Sequence, residues 1–255
     1  MLLAIDIGNT NIVLGCLEGR EIRYLARMST DMTLTDCEYA VRIKSMLGLR
    51  GMDCDGFDGV VISSVVPPIT GEIGAAVKLL TGHEALVVGA GVKTGLNIKI
   101  DDPAQLGSDL VVGAVAAIDR WAPPLILIDM GTATTFSAID KHGNFLGGAI
   151  MPGLQLSLDS LASGTSQLPK IAIEPPKRAI GRNSVESMRS GALFGTAAML
   201  DGMIDRFRGE LGENASVIAT GGLAERIIPH CRHEIIYDGE LLLRGLAIIW
   251  EKNRK

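Results

Sequence analysis

Ile5-Asp6-Ile7-Gly8-Asn9-Thr10, at the amino terminus, is echoed by Ile128-Asp129-Met130-Gly131-Thr132-Ala133 near the middle of the chain. Asp6 and Asp129 each stand two residues before a glycine, Gly8 and Gly131, and each hexamer follows an apolar run, residues 2–5 and 125–128. A second strand-like run comes after each, residues 11–17 and 134–139. Strand, acidic-glycine turn and strand is the pattern of a β-hairpin, with glycine expected to give the turn its backbone freedom. A further pair supports the first. Gly59-Val60-Val61-Ile62-Ser63-Ser64 and Ala215-Ser216-Val217-Ile218-Ala219-Thr220 are β-rich runs ending in small hydroxyl residues. Each precedes an amphipathic helical stretch, residues 69–80 and 223–228. Two echoes in matching order imply a duplicated α/β unit whose halves meet around residues 103–121.

The remaining pattern fills in the halves. Helical spacing is expected over residues 35–47, where Ala40, Val41, Ile43, Met46 and Leu47 form the apolar stripe. Helices are also expected over 108–120, 153–162, 184–208 and 240–252, the last with a basic final turn. Residues 84–88 read as a strand. Lys141-His142-Gly143-Asn144 reads as the turn of a hairpin, and residues 171–181 as a proline-rich loop.

Composition excludes several function classes. The 255 residues carry 24 Lys+Arg against 29 Asp+Glu, a net charge of −5, and 47% are hydrophobic. That apolar content is incompatible with intrinsic disorder. A mildly acidic chain lacks the basic patch that phosphate-backbone binding requires, so no nucleic-acid partner is expected. No apolar run approaches the roughly 18 residues of a membrane span, so no membrane partner is expected either. Cys16, Cys37, Cys54 and Cys231 form no CxxC pair and read as free thiols of a reducing compartment. The chain opens directly on a strand with no basic leader, so a cytoplasmic location is expected.

Paired acidic-glycine turns suit a nucleoside triphosphate. Glycine lets backbone approach phosphate oxygens, turn N–H groups bind anions, and Thr or Asn side chains donate further hydrogen bonds. A carboxylate at a strand end can hold a hydrated cation. Asp6, Gly8, Asn9, Thr10 and Asn11 would form one clamp, and Asp129, Gly131, Thr132, Ala133 and Thr134 the other. Either turn alone is ordinary turn chemistry; the pairing is what points to phosphate. Neither a GxxxxGK[ST] loop nor a GxGxxG after a strand is present. Asp109 follows Gly107-Ser108 at a helix start, where an acid either complements the helix dipole or serves as a general base. Asp101 and Asp102 read as turn residues. His230, Cys231 and His233 read as a solvated loop or subunit surface, His83 and His142 as exposed. Met188, Met199 and Met203 read as core or dimer packing.

The two turns, together with Gly107-Ser108-Asp109 and Asp129-Met130-Gly131-Thr132-Ala133-Thr134-Thr135, resemble the signature stretches of the type III pantothenate kinases. Gly147-Gly148-Ala149-Ile150-Met151-Pro152-Gly153, Leu168-Pro169, Ser190-Gly191 and Thr220-Gly221-Gly222 extend the resemblance over nearly the whole chain. That family belongs to the acetate kinase, sugar kinase, heat-shock protein and actin superfamily. The resemblance implies duplicated ribonuclease-H-like (actin-like) domains, each a mixed five-stranded sheet flanked by helices, with a cleft between them. Residues 1–112 would be the first half and 113–255 the second, the latter carrying dimerisation helices. It implies ATP-dependent phosphorylation of pantothenate to 4′-phosphopantothenate, the first step of coenzyme A biosynthesis. It also implies a homodimer, a divalent cation such as Mg²⁺ on the nucleotide, and a monovalent cation, potassium or ammonium.

By motif position, Asp6, Ile7, Gly8, Asn9, Thr10, Asn11, Ile12 and Val13 would line the nucleotide phosphates, with Thr132 joining them. Gly107, Ser108, Asp109 and Leu110 would contact pantothenate, with Asp109 the catalytic proton acceptor. Asp129 would hold the monovalent cation, and Ser184 matches a substrate-contacting hydroxyl position. The chain departs from the pattern twice: Leu110 stands where Arg or Lys usually follows the aspartate, and Ile100 stands near a frequent tyrosine position. A leucine cannot supply the lost charged donor. These departures open a second reading, a non-catalytic nucleotide- or pantothenate-binding regulator on a kinase scaffold.

Overall fold

The computed structural model describes residues 1–254. Its first sheet begins with β1 (Leu2–Ile7), buried on both faces, which turns back into antiparallel β2 (Asn11–Glu18). β3 (Glu21–Ser29) follows as an edge strand with one largely exposed face. A capping box then starts α1 (Asp36–Gly48): the Glu38 carboxylate accepts from the Thr35 N–H at 2.9 Å while the Thr35 hydroxyl accepts from the Glu38 N–H. α1 buries Tyr39, Ala40, Ile43 and Leu47, whereas Val41 of the expected stripe faces solvent. β4 (Gly59–Ser64) lies parallel to β1; α2 (Pro67–Thr81) opens on a proline pair; β5 (Ala85–Val87) lies parallel to β4. The strand order is β3-β2-β1-β4-β5.

The second sheet repeats this plan. β6 (Asn97–Ile98) and α3 (Ser108–Arg120) lead to β7 (Leu125–Met130), β8 (Ala133–Ile139) and β9 (Asn144–Pro152). α4 (Leu154–Gly164), α5 (Ser184–Ser190), α6 (Thr196–Leu211), β10 (Ser216–Thr220), α7 (Ala224–Ile227), β11 (Ile236–Tyr237) and α8 (Leu241–Asn253) complete the chain. The order is β11-β10-β7-β8-β9-β6, which without β6 mirrors the first sheet strand for strand. The register repeats too: Asp6 is paired with Ser63 across β1 and β4, and Asp129 with Thr220 across β7 and β10.

Three expectations need correcting. The second sheet has six strands, because Asn97 and Ile98 add a two-residue parallel strand to β9, fixed by Asn97 Nδ2 donating to Asn144 Oδ1 at 2.6 Å. The helix expected over 184–208 is interrupted by a π turn, Gly191–Gly195, and runs on to Leu211. The helix expected over 223–228 is only the four residues of α7, followed by a 3₁₀ turn, Ile228–His230.

The chain forms two compact units, and their boundary differs from a cut after residue 112. Unit 1 comprises Met1–Leu96, Asp101–Ala116 and the segment from Glu240 onward; unit 2 comprises Asn97–Ile100 and Ala117–Gly239. The C-terminal helix therefore goes with the first sheet, and its packing shows why. Alternation sends Leu3, Ile5 and Ile7 of β1 into one core with α1 and α2. Leu2 and Ala4 enter another with Val112 and Val115 of α3 and Leu243, Leu246, Ala247 and Ile249 of α8. A Cβ on Gly245 would stand 2.2 Å from the Val112 carbonyl oxygen, so glycine is what lets α8 reach α3. In unit 2, Ile126, Ile128, Phe136 and Val217 of the sheet pack with Leu158, Met188, Leu200 and Ile204 of the helices. Among the described residues no helix is long and apolar enough to cross a membrane.

Candidate active site

The β1–β2 turn closes with the Ile7–Ile12 pair and the Gly8 N–H donating to Asn11 O at 3.0 Å. Neither Gly8 nor Gly131 adopts a positive φ, so the expected backbone freedom is not why glycine is there. Space is the reason at Gly8, where a Cβ would stand 3.1 Å from Asn11 O. Asn9 and Thr10 are exposed at the tip, and Asp6, Gly8, Asn11 and Val13 are half-buried. Ile7 and Ile12 are wholly buried in the first core, so their side chains are core and only their backbone can serve a ligand. Thr30, which sequence reasoning missed, braces this turn: its Oγ1 donates to Gly8 O at 2.6 Å and its N–H to Thr10 O at 3.0 Å.

The β7–β8 turn is one residue shorter. Its last pair is Met130–Thr134, and the Gly131 N–H donates to Ala133 O at 3.0 Å. Gly131 and Thr132 are exposed, Asp129 and Ala133 half-buried, and Thr134 is buried. Two other glycines shape this turn by close approach. The Gly153 N–H donates to Thr132 O at 3.0 Å, and a Cβ there would stand 2.4 Å from the carbonyl oxygens of Gly131 and Thr132. Gly221 has φ +97, and its Cβ would stand 2.5 Å from Met130 O, so both space and backbone conformation demand glycine.

Asp109 occupies the first turn of α3 as expected. Gly107 makes room for its carboxylate: a Cβ at 107 would stand 2.5 Å from Asp109 Oδ1. That oxygen accepts the Leu110 N–H at 2.8 Å. Burial pushes the Asp109 carboxyl above its ordinary value, and the backbone N–H groups of Leu110 and Asp109 itself offset this only in part. A carboxylate with a raised pKa in a half-buried setting is a better proton acceptor than an exposed one. Leu110 is half-buried and brings no charged donor. Ser108 points back to the sheet, its Oγ accepting the Ser64 N–H at 3.0 Å. Asp102 caps a 3₁₀ turn, accepting from the Ala104 N–H at 3.1 Å.

Ser184 is the first residue of α5, after Asn183, whose side chain accepts the Glu186 N–H at 2.9 Å. It is exposed and edges a largely apolar groove of about 780 Å³ within unit 2, shared with Thr134, Met151, Leu158, Met188 and Met199. The segment around residues 230–233 is a surface loop, as expected, with His230 and Arg232 exposed, and it is anchored by side-chain contacts. His233 Nε2 faces Asp205 Oδ1 at 2.6 Å and its Nδ1 faces Arg208, while His230 meets the Phe194 ring edge-on at 5.5 Å. Burial raises the Cys231 thiol to about 11. His83, expected to be exposed, is half-buried with Nε2 2.9 Å from Phe57 O; His142 is exposed.

The profile of the type III pantothenate kinase family matches residues 2–206. The type III pantothenate kinase of Brevibacillus brevis is 42% identical over 254 residues, covering 100% of both chains. That of Moorella thermoacetica is 41% identical, covering 99% of this chain and 100% of the other. Among solved structures, the activator of 2-hydroxyisocaproyl-CoA dehydratase from Clostridium difficile, with bound ADPNP, aligns with a TM-score of 0.58 at 13% identity. That alignment covers 100% of this chain and 98% of that one, a likeness of fold within the actin-like class. With its duplicated sheets, its two acid-glycine turns and full-length similarity to these kinases, the chain belongs to the type III pantothenate kinase family.

Proposed function

We propose that the protein transfers the γ-phosphoryl group of ATP to the primary hydroxyl of pantothenate, giving ADP and 4′-phosphopantothenate at the entry to coenzyme A biosynthesis. Full-length similarity to named pantothenate kinases supports the reaction. The observation that carries the mechanism is the Asp109 carboxylate, seated behind Gly107 with its pKa raised by burial. The hydroxyl proton passes to Asp109 as the oxygen bonds to phosphorus, and the bond to the ADP oxygen breaks; the protonated Asp109 then releases its proton to water. Most of the acceleration comes from alignment and charge stabilisation rather than from basicity.

Asp6, Gly8, Asn9, Thr10, Asn11 and Val13 serve the nucleotide phosphates, Ile7 and Ile12 through backbone alone, and Thr132 has the equivalent role on the second turn. Strand register sets Ser63 opposite Asp6 and Thr220 opposite Asp129, a carboxylate and a hydroxyl residue in each case, and oxygen ligands of this kind fit hard cations. Asp6 would hold a nucleotide-borne divalent cation through its water shell, and Asp129 a monovalent one, potassium or ammonium. A divalent cation on the phosphates supplies charge neutralisation during transfer. Gly107 and Leu110 flank the pantothenate hydroxyl, and Ser184 contacts pantothenate. We further read the protein as a cytoplasmic homodimer, with the apolar groove of unit 2 and exposed Ile150, Leu156 and Leu161 as the surface for the second copy.

Leu110, in place of a basic residue, favours the second reading, a ligand-binding regulator. A coupled ADP-release assay with pantothenate at varied potassium separates the two. Steady ADP formation that depends on pantothenate and collapses in Asp109→Asn supports the kinase. Thermal stabilisation by ATP and pantothenate without turnover supports the regulator, and equal rates in the two proteins remove Asp109 from its role.

A further inference from the structure

The Ser108 hydroxyl is fully engaged at the carboxyl end of β4. It donates to Ser64 O at 3.0 Å, accepts from the Ser64 N–H at 3.0 Å, and lies 3.1 Å from Ser63 Oγ. A serine hydroxyl has one proton and two acceptor lone pairs. With the proton on Ser64 O and one lone pair on the Ser64 N–H, the Ser63 hydroxyl donates to the other. No donor or acceptor capacity is left for a ligand.

The partners are themselves held. Ser64 Oγ accepts from the Val66 N–H at 3.1 Å and meets Thr70 Oγ1 at 2.6 Å, and Thr70 donates on to Val66 O at 3.0 Å. The end of β4 and the start of α2 are thus one hydrogen-bonded block. Ser63 is wholly buried and sits opposite Asp6 in the β1–β4 register, so the same block adjoins the strand that delivers the first phosphate turn. Asp109 is the next residue after Ser108, on a turn closed by the Val111 N–H to Gly107 O at 3.3 Å.

We infer that Ser108 is a positioning residue and not a substrate contact: its hydroxyl latches the first turn of α3 to the end of β4 and thereby fixes where the Asp109 carboxylate stands with respect to the β1–β2 turn. The inference rests on Asp109 as the proton acceptor, for which sub-ångström placement governs rate. It moves Ser108 out of the pantothenate-contacting set that the family resemblance implied.

The test uses full-length protein, with Ser108→Ala, Ser108→Thr and Asp109→Asn assayed for ADP release across pH at saturating ATP. Two readouts are taken: kinetics, and amide hydrogen exchange over residues 109–112. Loss of the latch lowers kcat about tenfold with the pantothenate KM little changed. It moves the acid limb of the kcat profile to lower pH, because water reaching the carboxylate removes the burial that raises its pKa. It also speeds exchange over residues 109–112, and Ser108→Thr, which keeps the hydroxyl, recovers most of the rate. A raised pantothenate KM at unchanged kcat, or wild-type kinetics and exchange in Ser108→Ala, overturns the inference. Should Ser108→Ala fail to fold, Ser63→Ala, which removes one bond of the three, decides in the same way: lower kcat at constant KM supports the latch and wild-type behaviour overturns it. Wild-type rates in Asp109→Asn would refute the base assignment instead, and the latch is then judged on exchange alone.

Discussion

Burying a carboxylate in the first turn of α3 has a stability consequence as well as a kinetic one. The folded-state pKa of Asp109 lies above its ordinary value, so the neutral form is the one the fold favours. By linkage, its contribution is fully present below the unfolded pKa of about 3.9 and is lost as pH rises through the folded pKa. Asp109→Asn, neutral at every pH, should therefore melt above the native protein at pH 7 while the two coincide near pH 3. Equal melting temperatures at pH 7 would contradict the buried-carboxylate picture. At this scale the sequence was legible where chemistry is local: Asp6, Gly8, Asp129 and Gly131 fall on turns because acid and glycine mark turns. Thr30 and Ser108 were not legible in their roles, since their partners lie 22 and 44 residues away in the chain. Ile7 and Ile12 were placed with the phosphates by motif position, while strand alternation turns their side chains into the core.

Contacts between elements explain why some glycines cannot change and others can. Gly245→Ala would drive a methyl into the Val112 carbonyl, which is backbone and cannot rotate aside. We expect a loss of about 1–3 kcal/mol, the usual range for overpacking. We also expect a lower kcat, because Val112 is three residues beyond Asp109 on α3. Gly209→Ala in α6 is the control: a Cβ there meets nothing within 4 Å, so helix propensity should make it neutral or stabilising by up to about 1 kcal/mol. Urea unfolding and the ADP assay on both variants check the pair, and a harmless Gly245→Ala would contradict the close approach of α3 and α8. The expected helix at 108–120 matches α3 residue for residue because an apolar run begins at a polar, glycine-preceded start. β3 escaped sequence reading because its outward face carries Glu21, Arg23 and Arg27 and breaks the apolar signal. β6 and β11 are two residues each, too short to show a period, and the π turn has no sequence mark beyond its bounding glycines.

For the whole molecule, duplication was readable because acid, glycine and hydroxyl residues recur at matching register, Asp6 beside Ser63 and Asp129 beside Thr220. The assignment of the last helix was not readable. An amphipathic helix records that it packs, not which sheet it packs on. A chain ending at Gly239 lacks Leu243, Leu246, Ile248 and Ile249, each contributing about 1.5–3 kcal/mol of burial, together comparable to the stability of a typical domain. We expect that truncation to abolish cooperative unfolding of unit 1 while unit 2 retains a transition, measured by hydrogen exchange in urea. A truncated chain with native protection of β1 and β4 would contradict the role given to α8. The same return of α8 sets the order of events during translation. β1 is made more than 200 residues before α8, yet the face that carries Leu2 and Ala4 stays incompletely covered until α8 has emerged. The first sheet therefore matures only after every strand of the second has been made, and in the interval it presents an apolar face of the kind that chaperones shield.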